Sequence, residues 1–188
     1  MGWGLLWGML FLLGNGEQGV LVDRVIAVVG EEVLTESELQ IEARVALAFR
    51  EGGTVATTSL EPDLLSSLRD YVVNQLVVMI HARRLGALEV SEAKADELMG
   101  TFRGKFTSHV AYQAFLRRYG ITEGTVRRIL IRDFRNDIFV DSRLRASGDK
   151  SEVTSGAARS KAWDLWLDQM KRSVSIRLLG ENQRLEVQ

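Results

Sequence analysis

The chain has 188 residues, which fits one domain or one domain with an appendage. Its 24 basic and 25 acidic side chains give a formal net charge of −1, so the chain as a whole has no electrostatic attraction to nucleic acid or anionic lipid. The absence of cysteine excludes a disulfide framework and a thiolate metal site.

Residues 2–13 form an uninterrupted apolar run, GWGLLWGMLFLL. The run is too short to span a membrane, which takes about 20 residues, and it fits the hydrophobic region of a secretory signal peptide. Gly14 and Gly16 supply the small residues needed for cleavage after Gly16. No Lys or Arg precedes the run, so we predict that residues 1–16 are a signal peptide or, if uncleaved, a weak anchor.

The segment that follows, GNGEQG at residues 14–19, matches the pattern GxGxxG. A dinucleotide site needs a strand before this pattern and a helix opening on it. Here a signal-like segment precedes the pattern and a strand follows it, so we discard the dinucleotide interpretation.

A strand and a capped helix are predicted next. Residues 22–29, VDRVIAVV, alternate loosely and are rich in β-branched side chains, which is typical of a strand. After a turn that begins at Gly30, extended structure resumes briefly at residues 33–34. Thr35 then opens a helix, because Thr35 and Glu38 have the spacing of a capping box, in which each side chain accepts a backbone N–H from the other residue.

The central helix is predicted from the spacing of its apolar residues. The first helix is predicted to reach about Arg50, and residues 51–59 to form a loop. Residues 62–85 then place apolar side chains three and four positions apart, as on one helix face. Pro62 suits the first turn and Gly86 suits the C-terminal cap. The second half is apolar nearly all round, so we expect neighbours to cover this helix on more than one side.

Three more helices follow, each preceded by a hydroxyl side chain that suits an N-cap. They are predicted at residues 92–105, 109–119 and 123–145, with caps at Ser91, Ser108 and Thr122. The third has an apolar face formed by Val126, Ile129, Leu130, Phe134 and Ile138.

The chain ends in a linker, a helix and a strand. Residues 146–160, ASGDKSEVTSGAARS, are small and polar and are interpreted as the linker. A helix is predicted at about residues 158–172, with one face formed by Trp163, Trp166, Leu167 and Met170. Residues 174–179 are predicted to form a strand, and the tail after Gly180 to fray.

These elements predict a mainly α fold with a small β element. A single strand cannot satisfy its backbone alone, so we predict that the first and last strands pair with each other. The predicted organisation is a signal segment at 1–16, a helical domain at 20–145, the linker at 146–160, and a closing helix and strand at 161–180 that dock on the same core.

Four stretches resemble the SurA-type family of periplasmic chaperones. Residues 22–39, VDRVIAVVGEEVLTESEL, resemble the family's N-terminal signature. Residues 68–91, LRDYVVNQLVVMIHARRLGALEVS, resemble one of its helices, and residues 112–134 resemble a pair of them. Residues 163–178, WDLWLDQMKRSVSIRL, resemble its closing helix and strand. The resemblance spans about residues 22–179, and its first motif is the most specific.

The resemblance implies a helical chaperone core in the periplasm that holds unfolded outer-membrane or secreted proteins without ATP. Family members usually carry one or two parvulin-type prolyl isomerase modules between the helical part and the closing helix. Here that interval is only the linker at 146–160, far shorter than an ordinary domain. We therefore expect no isomerase activity.

No constellation for catalysis or cofactor binding emerges. His81 and His109 lack metal-ligand or triad spacing, and His81 suits the negative end of the central helix. The acidic residues between Glu31 and Glu38 are interpreted as capping and dipole-stabilising groups. Arginine pairs such as Arg127-Arg128 are interpreted as solvated helix faces. We predict no catalytic residue, no metal and no cofactor.

A chaperone needs apolar surface for its clients, and flexible methionine and aromatic side chains suit that role. Six candidates lie in the two less regular helices: Met99, Phe102, Phe106, Tyr112, Phe115 and Tyr119. The alternative is that the same residues form the ordinary core of a helical domain. Pairing of clients with an open sheet edge is a further route, since a two-stranded element leaves two edges.

The sequence thus favours an exported, ATP-independent chaperone whose partners are unfolded or extended polypeptides, outer-membrane proteins in particular. No partnership with nucleic acid and no stable membrane insertion after cleavage are expected. The rival is a dedicated structural or assembly subunit of an envelope complex with the same fold. The linker also leaves open whether the closing helix docks on its own chain or exchanges between protomers.

Overall fold

The computed structural model describes residues 23–86, 89–146 and 156–180, with the side chains of 156–162 outside that description. The predicted signal segment, the GxGxxG match and the frayed tail lie outside the described residues.

Three strands form one antiparallel sheet. They are β1 (Val25–Val29), β2 (Glu32–Thr35) and β3 (Ile176–Leu178), in the order β2-β1-β3. The predicted pairing of the first and last strands is confirmed, with Ala27 opposite Leu178. The expectation of two strands is corrected, because the brief extended stretch after the Gly30 turn pairs with β1 as a hairpin. Gly30 has a φ of 61°, a conformation that glycine adopts without strain.

Six helices complete the described fold. They are α1 (Glu36–Glu51), α2 (Pro62–Arg84), α3 (Glu92–Arg103), α4 (His109–Tyr119), α5 (Glu123–Ala146) and α6 (Gly156–Arg172). The loop between α1 and α2 contains one short 3-10 helix, Val55–Thr57.

The N-caps predicted at Thr35, Ser91, Ser108 and Thr122 are confirmed by their hydrogen bonds. Thr35 Oγ1 accepts the Glu38 N–H at 3.3 Å, while the Thr35 N–H donates to Glu38 Oε2 at 3.0 Å. Ser91, Ser108 and Thr122 each accept a backbone N–H three residues later. Of the predicted linker, Ala146 belongs to α5 and residues from Gly156 onward belong to α6, whereas residues 147–155 lie outside the described part.

The described chain has two hydrophobic cores. The sheet core joins the sheet to α2, the second half of α5, and α6. Its buried residues are Ile26, Ala27, Val29, Leu34, Leu39, Val72, Val73, Leu76, Val77, Val78, Met79, Ala82, Phe139, Val140, Leu144, Leu167 and Val174. The aromatic core joins α1, α3, α4 and the first half of α5. Its buried residues are Val45, Ala48, Ala56, Met99, Phe102, Tyr112, Phe115, Leu116, Ile121, Val126, Ile129 and Leu130.

Helix α5 crosses from one core to the other, and its buried face turns as it does so. The first three residues of its predicted apolar face are buried as expected, but Phe134 and Ile138 are only partly buried. In the second half, Asn136, Phe139 and Leu144 are buried instead. The prediction assumed one straight apolar face along the whole helix. A helix that packs into two cores instead buries a different face in each half.

Helix α6 docks on its own chain in this structure. Leu167 is buried in the sheet core, and Trp163, Trp166 and Met170 pack against it, as predicted for one helix face. The central helix α2 contacts α1, α5, α6 and β1, which confirms that it is covered on more than one side. Within the described ranges, no helix combines the length and apolar character required to cross a membrane.

Candidate functional site

The six residues predicted to contact clients are part of the aromatic core. Met99, Phe102, Tyr112 and Phe115 are each at most 3% exposed, so as the chain stands they offer no surface to a ligand. The Phe102 ring packs edge-on against the other aromatic rings at centroid distances of 5.5 to 6.3 Å. This geometry stabilises an interior, and it matches the alternative of an ordinary core.

The other two candidates, Phe106 and Tyr119, are only partly buried but belong to the same packing. Phe106 lies 5.4 Å from the Tyr112 ring and 5.0 Å from the Phe115 ring. The Tyr119 ring stacks under the guanidinium of Arg44, 4.4 Å away. In this structure the six residues therefore fill a core, and the role of part of this set in binding clients stays a prediction.

His81 and the acidic turn make contacts that hold neighbouring elements together. His81 Nε2 lies 3.1 Å from Ser173 Oγ, which ties α2 to the turn before β3. Glu32 pairs with Arg83 at 2.5 Å, and Glu36 pairs with Arg24 at 3.2 Å. No group of three or more His, Asp or Glu side chains in the described part of the chain could hold a metal ion.

A groove of about 600 Å³ lies between β2, α1, α2 and α5, and we call it the β2 groove. Its lining residues are Glu32, Val33, Leu34, Glu38, Ile41, Glu42, Val72, Leu76, Met79, Arg83, Thr125, Arg128, Ile129, Ile131, Arg132 and Arg135. Eight of these residues are apolar and seven are charged, and the groove has a size in which ligands commonly bind.

One wall of the β2 groove is an edge strand. β2 pairs with β1 on one side, and no described strand pairs with its other side. Val33, in the middle of β2, is 51% exposed, which is unusual for a large apolar strand residue. An unpaired strand edge can accept an extended polypeptide through backbone hydrogen bonds.

The floor of the groove is apolar and adaptable. It is formed by Leu76 and Met79 of α2 and Ile129 of α5. These side chains are largely buried, at 5 to 8% exposure, and the part that remains exposed lines the groove. Methionine is unbranched and fits varied apolar shapes. Met79 is therefore the residue of this floor best suited to contact apolar side chains of different sizes.

A buried ionic network forms the side of the groove. Arg132 of α5 binds both carboxylate oxygens of Glu42 of α1, at 2.6 and 2.8 Å. The same guanidinium binds Asp133 Oδ1 at 2.7 Å, and the Tyr71 hydroxyl donates to Asp133 Oδ2 at 3.3 Å. The Arg132 and Glu42 side chains are each only 14% exposed. This network joins α1, α2 and α5 where the two cores meet.

Burial shifts the acid–base behaviour of this network. Desolvation raises the pKa of Asp133 above its usual value, although the neighbouring Arg132 opposes the shift. Desolvation also raises the pKa of Tyr71, helped by the negative charge of Asp133. The Tyr71 hydroxyl therefore remains a proton donor to Asp133 at all physiological pH values.

A second cavity, of about 300 Å³, lies against the same network. It is lined by Val45, Ala46, Phe49, Arg50, Tyr71, Leu98, Leu130, Asp133, Phe134 and Asp137. Glu42 and Arg132 line the β2 groove, while Tyr71 and Asp133 line this cavity. The network thus contributes to the walls of both.

Sequence reasoning missed the β2 groove, although one signal for it was present. Arg128, Arg132 and Arg135 are spaced four and three residues apart, which places them on one face of α5. Arg128 is exposed, as the interpretation of a solvated face predicts, but that interpretation did not consider the spacing to Arg132 and Arg135. The rest of the groove depends on how distant elements pack, which no local pattern encodes.

Comparison of the chain with protein-family models finds no match, and comparison with curated proteins finds none either. The assignment of function therefore depends on the groove and on the resemblance described above.

Proposed function

We propose that this protein is an ATP-independent periplasmic chaperone that holds unfolded outer-membrane or secreted proteins through apolar surface. The observation that carries the proposal is the β2 groove, in which an unpaired strand edge adjoins an apolar floor. This combination suits an unfolded chain, because it offers partners to both the backbone and the apolar side chains of a client.

The mechanism follows from these two partners. An extended segment of the client pairs its backbone with the outer edge of β2, near Val33. Alternate side chains of that segment point to one face of a strand, and there they cover the floor around Leu76 and Met79. Backbone pairing is independent of sequence, so many clients bind by the same contacts.

Release requires no energy source in this scheme. Each contact is non-covalent and individually modest, so the client exchanges between the groove and solution. Binding lowers the concentration of free unfolded client and so slows aggregation, whereas a client that folds buries its apolar segments and no longer competes for the groove. A site for nucleotide hydrolysis is therefore not needed.

Light scattering tests the proposal. An unfolded outer-membrane β-barrel protein is diluted into buffer with and without residues 17–188 of the chain, and aggregation is followed with time. We expect suppression at near-stoichiometric ratios. Val33→Lys places a charge on the strand edge and should weaken suppression, because charged edge residues oppose strand addition.

The matched control is Val110→Lys. Val110 lies on α4, is 73% exposed and does not line the groove, so the same substitution there should leave suppression unchanged. If a well-folded chain suppresses the aggregation of no unrelated client, the proposal is wrong. Co-purification with one envelope protein would then favour the rival, a dedicated assembly subunit.

A further inference from the structure

The charges that line the β2 groove do not all have partners. The groove contains four arginines and three glutamates. Arg83 pairs with Glu32, and Arg132 is bound to Glu42. The third carboxylate, Glu38, accepts the Thr35 N–H in the capping box. Two guanidinium groups, those of Arg128 and Arg135, remain without an acidic partner among the described residues.

Arg135 is the more unusual of the two. Its Nε is shielded from solvent and makes no hydrogen bond with any described residue. A charged donor that is desolvated and unpaired is costly, and most such groups in proteins have a partner. Arg128, seven residues earlier on α5, is exposed, and its guanidinium has only a long contact of 3.4 Å with Thr125 Oγ1.

These two arginines lie on one face of α5, about 10 Å apart along the helix axis. A guanidinium offers a planar fork of N–H donors that matches the two oxygens of a carboxylate. The groove therefore presents three features together: a strand edge for backbone, an apolar floor, and two free cations beside that floor.

We infer that the β2 groove selects extended polypeptide segments in which a carboxylate stands beside apolar residues, and that Arg128 and Arg135 bind that carboxylate. The inference rests on the proposed function and adds the chemistry of the client to it. An acidic segment supplies an anion to these two guanidinium groups, whereas a basic segment meets two like charges.

Peptide binding measured by fluorescence anisotropy tests the selectivity. Three nine-residue peptides carry a neutral fluorophore and the same alternating Val and Leu residues. Their intervening positions are Glu in the acidic peptide, Gln in the neutral peptide and Lys in the basic peptide. We expect the acidic peptide to bind about tenfold more tightly than the neutral one, the size of one charge-assisted hydrogen bond. Added salt should reduce this difference.

Two variants assign the effect to the groove. The double variant Arg128→Gln and Arg135→Gln should bring the acidic peptide to the affinity of the neutral one while leaving the neutral peptide bound. The double variant Arg117→Gln and Arg118→Gln, on exposed positions of α4 outside the groove, makes the same change of charge and should keep the selectivity.

A third variant separates the effect of the positive charge from that of the planar guanidinium group. Arg135→Lys keeps the positive charge but loses the planar fork, so it should retain part of the selectivity. Circular dichroism and thermal unfolding establish that each variant is folded, and Arg128→Gln alone supplies the test if the double variant is not. Because Arg128 is exposed, its loss should not affect folding.

The outcomes distinguish this inference from the proposed function. Equal binding of all three peptides, or tighter binding of the basic one, overturns the inference and leaves peptide binding intact. Binding of no peptide by the folded chain overturns both. A dimer that Val33→Lys dissociates and that keeps the acidic peptide from binding would also overturn the inference, because a second copy would then occupy the groove.

Discussion

The two cores of this protein are built from different side chains and from different distances along the chain. The aromatic core collects residues from Val45 to Leu130, and interlocking rings centred on Phe102 fill it. The sheet core is mostly aliphatic and joins Ile26, near the start of the described chain, to Val174, near its end. The difference teaches that one chain can build one core from its middle and another by bringing the two ends of its described part together.

The β2 groove lies where these cores meet. Leu76 belongs to the sheet core and Ile129 to the aromatic core, yet both line the groove. The Glu42–Arg132 pair joins α1 to α5 at the same place. The candidate site is therefore a consequence of having two cores, because one continuous core would have filled the space.

The first prediction tests whether the two cores differ in sensitivity. Phe102→Ala removes a ring that is 0% exposed, and we expect a loss of about 3–5 kcal/mol in the free energy of unfolding. Val77→Ala in the sheet core removes two methyl groups, and we expect a loss of about 2 kcal/mol. Urea denaturation followed by circular dichroism measures both losses. Equal losses would show that the two cores do not differ in their sensitivity to these substitutions.

The second prediction concerns the connection between the cores. Arg132→Met leaves Glu42 and Asp133 buried without their cation, and we expect a loss of about 3 kcal/mol in unfolding free energy. The control is Arg127→Met, whose partners Glu92 and Asp96 are largely exposed, and there we expect a loss below about 1 kcal/mol. If both variants lose the same amount, burial does not distinguish the two ion pairs.

The third prediction tests how tightly the aromatic core is packed at its edge. A Cβ at Gly53 would lie 2.3 Å from Phe106 Cδ1, so Gly53→Ala must displace the ring and should cost about 1–3 kcal/mol. Gly100→Ala is the control, because no atom lies within 4 Å and the change should stabilise α3 by roughly 0.5–1 kcal/mol. Thermal unfolding should show a lower melting temperature for Gly53→Ala and a higher one for Gly100→Ala. In a chain that already carries Phe106→Ala, the ring is absent, so Gly53→Ala should cause no further loss of stability.

The fourth and smallest prediction concerns pH. The folded state raises the pKa of Asp133 above 3.8, so it holds that proton more tightly than the unfolded chain does. The contribution of Asp133 to stability therefore falls as pH rises through the window that begins near 3.8. Urea denaturation between pH 4 and 7 should reveal this slope, and Asp133→Asn should remove it.

An opposite slope at Asp23 provides the control. Hydrogen bonds from Ser37 and Thr35 lower the pKa of the exposed Asp23 carboxyl. Its contribution to stability is present above pH 3.8 and is lost as the pH falls through the lowered value. Asp23→Asn should weaken the acid sensitivity, and a change of the same sign as in Asp133→Asn would contradict the assignment.

Much of the fold could be predicted because its signals are local. The hydroxyls of Ser91 and Ser108 bind N–H groups three residues away, so the sequence alone contains the information for these helix starts. The pairing of the terminal strands followed from an equally simple requirement, that backbone groups need partners. β2 was recognised only as extended, since four residues are too few for periodicity to separate a strand from a turn.

The candidate site could not be predicted in the same way. Phe102 and Phe115 have the composition of a binding surface, and only packing decides that they are interior. The unusual feature of Arg135 is that its buried Nε makes no hydrogen bond, which only the packed structure reveals. Sequence reasoning identified aromatic residues as the unusual feature, whereas the structure points to a strand edge and unpaired cations.

The position of β3 has a consequence for the synthesis of the chain. β3 pairs with β1, so the sheet cannot be completed until Leu178 has been added, whereas the aromatic core can form once the first half of α5 exists. During that interval β1 has an open edge, and the apolar side of α2 that faces α6 is uncovered. Such surfaces promote aggregation of nascent chains. A protein that we propose protects other unfolded chains is thus itself vulnerable until its last strand has been made.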